Sequence, residues 1–366
     1  MPTTTTTLSN QYQNYFSKKL LSYAVQALVM DQFAEKTPLP AKAGHKAITM
    51  FRFGAPSTSD IESLTEGTAP SGTRNLSLAK IEKTLAQRGQ VIKLTDILTA
   101  TDLFNSLQQS VKTNGEDAAL DMDTLTRNTV VGSNTAGTAK ENGDGSALDN
   151  SDTLTEQYAD GGTDYSTLDA ATGTDTVMAA SSILDAVTKL KVNRAQPARG
   201  GMYAALTSPQ VLSDIMQVNE WLNASQYSNV QELYRGEIGS LYGAKFITST
   251  NGWSSVYSSE DDDRFAYSAA GTKDRAAGAN IYATLFVGQQ AYGVPELSSQ
   301  SPFSPKVIIT DKADKTDPLN QLTTAGIKTF WCALRLNCNY YTIMRSKSNS
   351  ACLLYTSDAA DDLLCV

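Results

Sequence analysis

Apolar residues recur at helical spacing in "NYFSKKLLSYAVQALVMDQFA", where Phe16, Leu20, Ala24 and Leu28 share one stripe and Pro38 stops any continuation. This predicts one amphipathic helix packing on its own domain. The period then falls to two: "KAITMFRFG" is strand-like, and "APSTSDIESLTEGTAPSGTR" is full of turn formers. In "NLSLAKIEKTLAQRGQVIKLTD", Leu76 and Leu78 share one face, Ile81, Lys83 and Leu85 the next, and Ile92 and Leu94 form a further pair. The parity change predicts a bulge near Ala79 and Lys80. Two strands are expected to leave a body, turn around a polar tip and return.

From Asp102, the positions of Leu103, Leu107, Val111, Ala118, Met122 and Leu125 predict a long helix weakened at Gly115. Residues 132–175 are crowded with Gly, Thr, Ser, Asp and Asn, which predicts a flexible insertion. Asp175 is expected to cap a helix carrying Val177, Ile183, Leu184, Val187 and Leu190. "GGMYAALTSPQVLSDIMQ" reads as a strand running into a helix with Ser208 as N-cap, Pro209 at the first position, and Val211, Leu212, Ile215 and Met216 inward. "GEIGSLYGAKFITSTN" and "ANIYATLFVGQQAYGV" are strand-like with glycine bends. "GIKTFWCALRLNCNYYTIMRSKS" predicts a terminal hairpin, with Phe330, Cys332, Leu334 and Leu336 on one face and Tyr341 to Arg345 returning. The fold class is α+β.

Composition narrows the chemistry. The 366 residues are 41% hydrophobic, enough for a globular core, and the formal charge of −8 with no Lys/Arg block argues against a sequence-reading nucleic-acid surface. No apolar run is long enough for a membrane span, and "MPTTTTTLSNQYQ" lacks signal-peptide regions, so a soluble protein of a bacterial-type cytosol is expected. Cys332, Cys338, Cys352 and Cys365 match no zinc or redox spacing. The last two lie in "CLLYTSDAADDLLCV", which reads as a translated sequencing adapter on a metagenomic fragment; without its three aspartates the charge is −5. His45 is the only histidine, which removes Ser-His-Asp, Cys-His and multi-histidine metal chemistry. Gly236, Gly239 and Gly243 do not form a dinucleotide or phosphate loop, and neither Glu260 to Asp263 nor "NGDGSALDNSD" has EF-hand spacing. No catalytic residue, cofactor or metal site is expected, and the inventory suits an assembling structural protein better than an enzyme.

Four segments resemble one family. "LPAKAGHKAITMFRF" with "LTEGTAPSG" and "GQVIKLTDIL", then "YAALTSPQVLSDI", "RGEIGSLYGAKFITSTN" and "DPLNQLTTAGIKTFWCALRLNCNYYTIMRSKS" are similar, in order, to patterns of tailed-bacteriophage major capsid proteins with the HK97-like fold, in the enquatrovirus-type podovirus branch. The likeness runs from about Tyr15 to Ser348; Ile327 replaces the family's tryptophan after Gly326, and the insertion after Val131 has no counterpart.

The resemblance implies a flexible arm (1–14), an N-terminal helix and linker on the inner side (15–45) and an extended loop over a neighbour (46–83). It further implies a peripheral domain with a spine helix (84–131), a mainly axial segment (176–293) and a return to the peripheral sheet through the terminal hairpin (294–350), while the insertion (132–175) and the foreign tail (351–366) are read from composition. Glu66, Gly67, Pro70 and Arg74 would lie in the inter-subunit loop, and Asp317, Pro318, Gly326, Lys328 and Trp331 would form the C-terminal signature. The implied function is an icosahedral coat built from hexamers and pentamers in the host bacterial cytoplasm and carried in the virion. Its implied partners are the chain itself, scaffold, portal and decoration proteins, around DNA bound without sequence specificity. Alternatives are an encapsulin-like nanocompartment shell, a minor decoration or tail protein, and, in a different class, an enzyme or secreted adhesin.

Overall fold

In the computed structural model of the chain, the residues described are 28–38, 47–53, 61, 63–64, 66–68, 78–102, 106–131, 156–162, 167–168, 176–198, 200–218, 239–252, 281–296, 305–310, 319 and 321–348. Leu28 to Phe33 end in a 3-10 turn (Met30–Phe33) before strand β1 (Glu35–Thr37). The helix expected upstream falls on residues outside those described.

Strands β2 (Ala47–Phe53) and β3 (Leu78–Thr84) pair antiparallel without interruption from Ala47↔Thr84 to Phe53↔Leu78. The bulge expected near Ala79 and Lys80 is absent from this ladder. The parity change has another cause: Leu78 stays on the exposed face, while Ile81 and Leu85 pack against the body. The ladder ends at Thr84, and after Leu85 the next strand, β4 (Ala86–Thr95), joins a different sheet.

After the short helix α1 (Asp96–Thr101), α2 runs unbroken from Ser106 to Val131 through the buried Gly115. At 1.5 Å per residue its 26 residues span about 39 Å. Its N-terminal half lies on a three-stranded antiparallel sheet, β11 (Lys306–Thr310), β12 (Leu322–Trp331) and β4, where Val111 meets Val307, Ala325 and Ile327. Alternation fixes this sheet's register: odd residues of β12 face the helix, and Ile92 and Leu94 of β4 join them. Further along, α2 covers Trp331 and Ala333, and Val130 and Val131 enter the core of a six-stranded sheet.

That sheet has the order β5 (Glu156–Tyr158), β14 (Tyr341–Lys347), β9 (Ile281–Val287), β6 (Tyr203–Thr207), β8 (Ala244–Thr248) and β7 (Ser240–Leu241). Helices α3 (Ala180–Val192) and α4 (Pro209–Met216) contribute Ile183, Val187, Leu190, Val211 and Ile215 to a core with Phe246 and Phe286. Ser208 and Pro209 start α4 as expected, and Tyr242 and Gly243, both at positive φ, turn β7 into β8. Met216, expected inward, is 41% exposed, and Asp214 is buried on the same helix; Leu184, among the apolar residues expected on α3, is 46% exposed. Helix α3 begins at Ala180 with Ala179 at the N-cap position, and Val177, expected on the helix, instead bridges to Lys347; Asp175 lies outside the described residues. Glu156 to Tyr158, expected within the insertion, form an edge strand on β14, so part of that segment is structured.

The terminal hairpin is not formed. Strand β12 belongs to the sheet under α2, β13 (Leu334–Arg335) pairs with β10 (Tyr292–Pro295) beside β1, and β14 pairs with β9 and β5. Residues 322–347 thus visit three sheets instead of folding back on themselves. The alternation expected for Cys332, Leu334 and Leu336 holds, because all three pack together beneath β2.

Candidate assembly surface

The β2–β3 hairpin carries apolar side chains on both faces. Ile48 and Met50 are buried against Cys332, Leu334 and Leu336, and the Arg52 Nη1 donates to the Leu336 carbonyl at 3.3 Å. On the other face Phe51 and Phe53 remain 57% and 62% exposed, and Leu78, opposite Phe53, is 54% exposed. An isolated two-stranded ribbon is marginal in water. This one is anchored on its inner face at one end and presents an uncovered apolar strip on its outer face.

Glu66 and Gly67 lie beyond the hairpin in an exposed turn, where Gly67 takes φ +79°, a conformation that favours glycine. Pro70, Arg74, Asp317, Pro318 and His45 lie outside the described residues, as do Cys352, Cys365 and both acidic stretches considered for calcium. The remaining signature residues are separate from the loop. Gly326 is central in β12 between Ile308 and Val91, and Lys328 lies two residues on, its Nζ 5.4 Å from the Phe330 ring centre. Both occupy the sheet face away from α2, where Val91 and Ile308 are exposed between Lys93, Lys306 and Lys328. Trp331 points the other way, fully buried under α2, its Nε1 donating to Thr126 Oγ1 at 3.1 Å.

A polar joint lies further along α2, and the sequence pattern did not disclose it. Asp123 on α2 is buried, and one carboxylate oxygen accepts from the backbone N–H groups of Val29 (3.1 Å) and Met30 (2.8 Å). The other accepts from Asn251 Nδ2 at 3.2 Å, while Arg127 Nη1 donates to the Asn251 carbonyl and side-chain oxygens at 3.1 and 2.9 Å. Burial raises the Asp123 pKa above the ordinary carboxylate value, against the lowering effect of these donors and of Arg127. Burial also pushes the Tyr292 hydroxyl well up, keeping it a proton donor to the Met30 carbonyl at 2.5 Å. The N-terminal segment, the long helix and the loop after β8 are thereby tied at one point. The only advance signal was an acidic residue adjoining the apolar stripe of α2, too weak to single out.

Among the described residues no group of histidine, cysteine, aspartate and glutamate is placed to hold a metal, and no helix is long and apolar enough to cross a membrane. Burial pushes the Cys332 thiol up to about 12, the opposite of an activated nucleophile. The geometry supplies a rigid frame and uncovered apolar strips.

No protein family matches the chain at the level of sequence, and neither does any curated protein. Solved structures do match over nearly the whole length. The capsid of Cyanophage P-SCSP1u aligns with a TM-score of 0.57 at 15% identity, covering 88% of this chain and 89% of that one. The Cyanophage Pam1 capsid asymmetric unit gives 0.59 at 13% identity, covering 90% and 92%. The acidic stable capsid of Helicobacter pylori bacteriophage KHP30 gives 0.56 at 11%, covering 87% and 89%. The fold is HK97-like. The long helix expected from the sequence period is α2, and the two paired strands expected around a polar tip are β2 and β3. At these identities the likeness establishes the fold, and the enquatrovirus-type branch finds no support in it.

Proposed function

We propose that the chain is the major capsid protein of a tailed bacteriophage, self-assembling as hexamers and pentamers into an icosahedral shell around double-stranded DNA. The observation that carries this reading is the strip of Phe51, Phe53 and Leu78 on a ribbon tethered by its other face, in a chain with an HK97-like fold. A second copy is the natural cover: an extended ribbon laid across a neighbour buries area on both without a bulky module. Glu66, Gly67, Pro70 and Arg74 are assigned to that contact. Gly326, Lys328 and Trp331, with Asp317 and Pro318, are assigned to the peripheral sheet, Trp331 from its buried side.

In this reading 46–83 is the extended loop and 84–131 the peripheral spine. Residues 176–293 build most of the axial layer, with Glu156 to Tyr158 and Tyr341 to Lys347 added to its sheet. The arm and first helix, residues 1–45, face the shell interior, and 351–366 are dispensable. Scaffold and portal are the expected assembly partners, decoration proteins bind the finished shell, and assembly takes place in the host cytoplasm before the coat becomes part of the virion. A net-acidic chain fits a container that does not clamp its DNA. The enquatrovirus-type branch rests on the four sequence segments alone; terminase and portal genes of that type beside this one would support it.

Expression of the chain, alone and with a scaffold, followed by negative-stain microscopy tests the proposal. Closed shells of uniform diameter support it, and a monomer that never assembles under either condition refutes it. Shells that take up a protein cargo from a neighbouring gene would instead assign the chain to a cellular compartment. A low copy number in purified virions would make it a minor component.

A further inference from the structure

We propose that Met50 and Gly293 form a stop that sets the angle at which the β2–β3 hairpin leaves the body, making them positioning residues for assembly. Gly293 lies in the middle of β10, paired on one side with Glu35 of β1 and on the other with Leu334 of β13. A Cβ added there would overlap the Sδ and Cε atoms of Met50, so the missing side chain is itself the slot that Met50 fills. Ile48 and Arg52 lie on the same face of β2, one buried beside Leu334 and Leu336, the other bonded to the Leu336 carbonyl. The hairpin therefore rests on three alternate side chains of β2, joined by Ile81 of β3 and the adjoining Leu85, and of these it is Met50 that seats in a gap a backbone position leaves open.

The geometry amplifies small changes. With Ile48 as pivot, Met50 is about 7 Å along the strand and Phe53 about 17 Å, at ~3.3 Å per residue. Lifting Met50 by about 1 Å moves Phe53 by about 2.5 Å, a shift that would misplace the apolar strip against a neighbour. A methionine end rotates readily, so alanine at 293 is a mild probe and valine, which fills the slot and suits a strand, is the decisive one.

The consequence for shells rests on the assembly reading; the seating of the hairpin does not. Gly293→Val is expected to fold, with a cooperative melt like the wild type, yet to lower shell yield at least tenfold or change shell diameter. Adding Met50→Ala empties the overlap and is expected to restore yield to within twofold. Wild-type shells at wild-type yield from Gly293→Val overturn the proposal, as does a folded double variant that assembles no better than the single. Where Gly293→Val fails to fold, Met50→Ala alone decides. Amide exchange over residues 47–53 should quicken at least tenfold in the unassembled subunit while α2 keeps its protection, and unchanged exchange overturns the stop. A wild-type chain that never assembles would refute the coat function and leave this exchange comparison to judge the stop by itself.

Discussion

Replacing Asp123 with alanine removes the acceptor at the joint of three segments. The Met30 amide is buried and has no water to turn to, so orphaning it costs about 1–3 kcal/mol. The Val29 amide is half-buried and costs toward the lower end of that range, and Asn251 loses one of two Nδ2 acceptors but keeps the other, Thr124 Oγ1 at 3.0 Å, and the bonds that Arg127 donates. Against these losses stands relief from burying a carboxylate, the dominant influence on its raised pKa. The balance is a loss of about 2–4 kcal/mol, a large part of the ~5–15 kcal/mol that holds a typical domain. Urea unfolding of the unassembled subunit gives the total, and amide exchange at Met30 shows where it falls. Asp123→Asn keeps an acceptor for Met30 and Val29 but turns a donor toward Asn251, so it should lose about half as much. The sign with pH also follows. A carboxyl held above its ordinary value binds its proton more tightly folded than unfolded. Its contribution is therefore most favourable below the unfolded value of 3.8 and declines as pH rises through the raised folded value, a slope that Asp123→Asn should remove. A loss below about 1 kcal/mol for Asp123→Ala, with Met30 exchange unchanged, would show that the joint does not hold the N-terminal segment.

Phe51→Ser combined with Phe53→Ser should alter subunit stability by no more than about 0.5 kcal/mol, because both side chains are exposed, while abolishing shells in micrographs; normal shells would remove the strip from the interface. Trp331→Phe should cost about 1–3 kcal/mol in a denaturant titration, from the lost bond to Thr126 and the space left under α2. Gly89→Ala should destabilise the β4–β12 ladder measurably, since its Cβ would fall 2.6 Å from the Ile327 carbonyl oxygen, and a wild-type melting temperature would contradict that approach. Deleting residues 58–73 should leave a folded subunit with normal circular dichroism that fails to form shells in negative stain.

Where one side of an element decides its burial, the sequence was readable. The strand-to-helix junction at Ser208 and Pro209, the long helix and the paired strands around the polar tip all carry such a signal, either a period or a turn residue at a fixed offset. Strand partners were not readable in the same way. Phe330 to Arg345 alternates as a hairpin would, yet alternation reports only which face is buried and is silent on which strand lies alongside. The bulge expected near Ala79 failed for a related reason: a parity change between Leu78 and Ile81 needs a bulge only if both share one face, and Leu78 belongs to the exposed strip on the other. The joint at Asp123 was hidden because its partners lie at 29, 30 and 251, separations that no local pattern encodes.

On the proposed reading, the two faces of β2 let one short strand serve both folding and association. In "AITMFRF" the even positions Ile48 and Met50 fasten the ribbon to its own body, and the odd positions Phe51 and Phe53 are left for another surface. Fully covering the two phenylalanines removes roughly 200 Å² of apolar surface from water, about 5 kcal/mol at ~25 cal/mol per Å², as an upper figure before the entropy of docking is subtracted. A gain of that size leaves little net affinity for one contact between two free subunits. In the proposed shell, where each copy would both give and receive a ribbon around closed rings, such contacts would reinforce one another only once many neighbours are in place. On the proposed reading, the strip must therefore be apolar enough to count when multiplied and weak enough to be exposed alone. A substitution that enlarged it, such as Lys80→Leu beside Phe51, should produce irregular aggregates in electron micrographs instead of better shells, and uniform shells from that variant would show that contact strength is not what limits assembly.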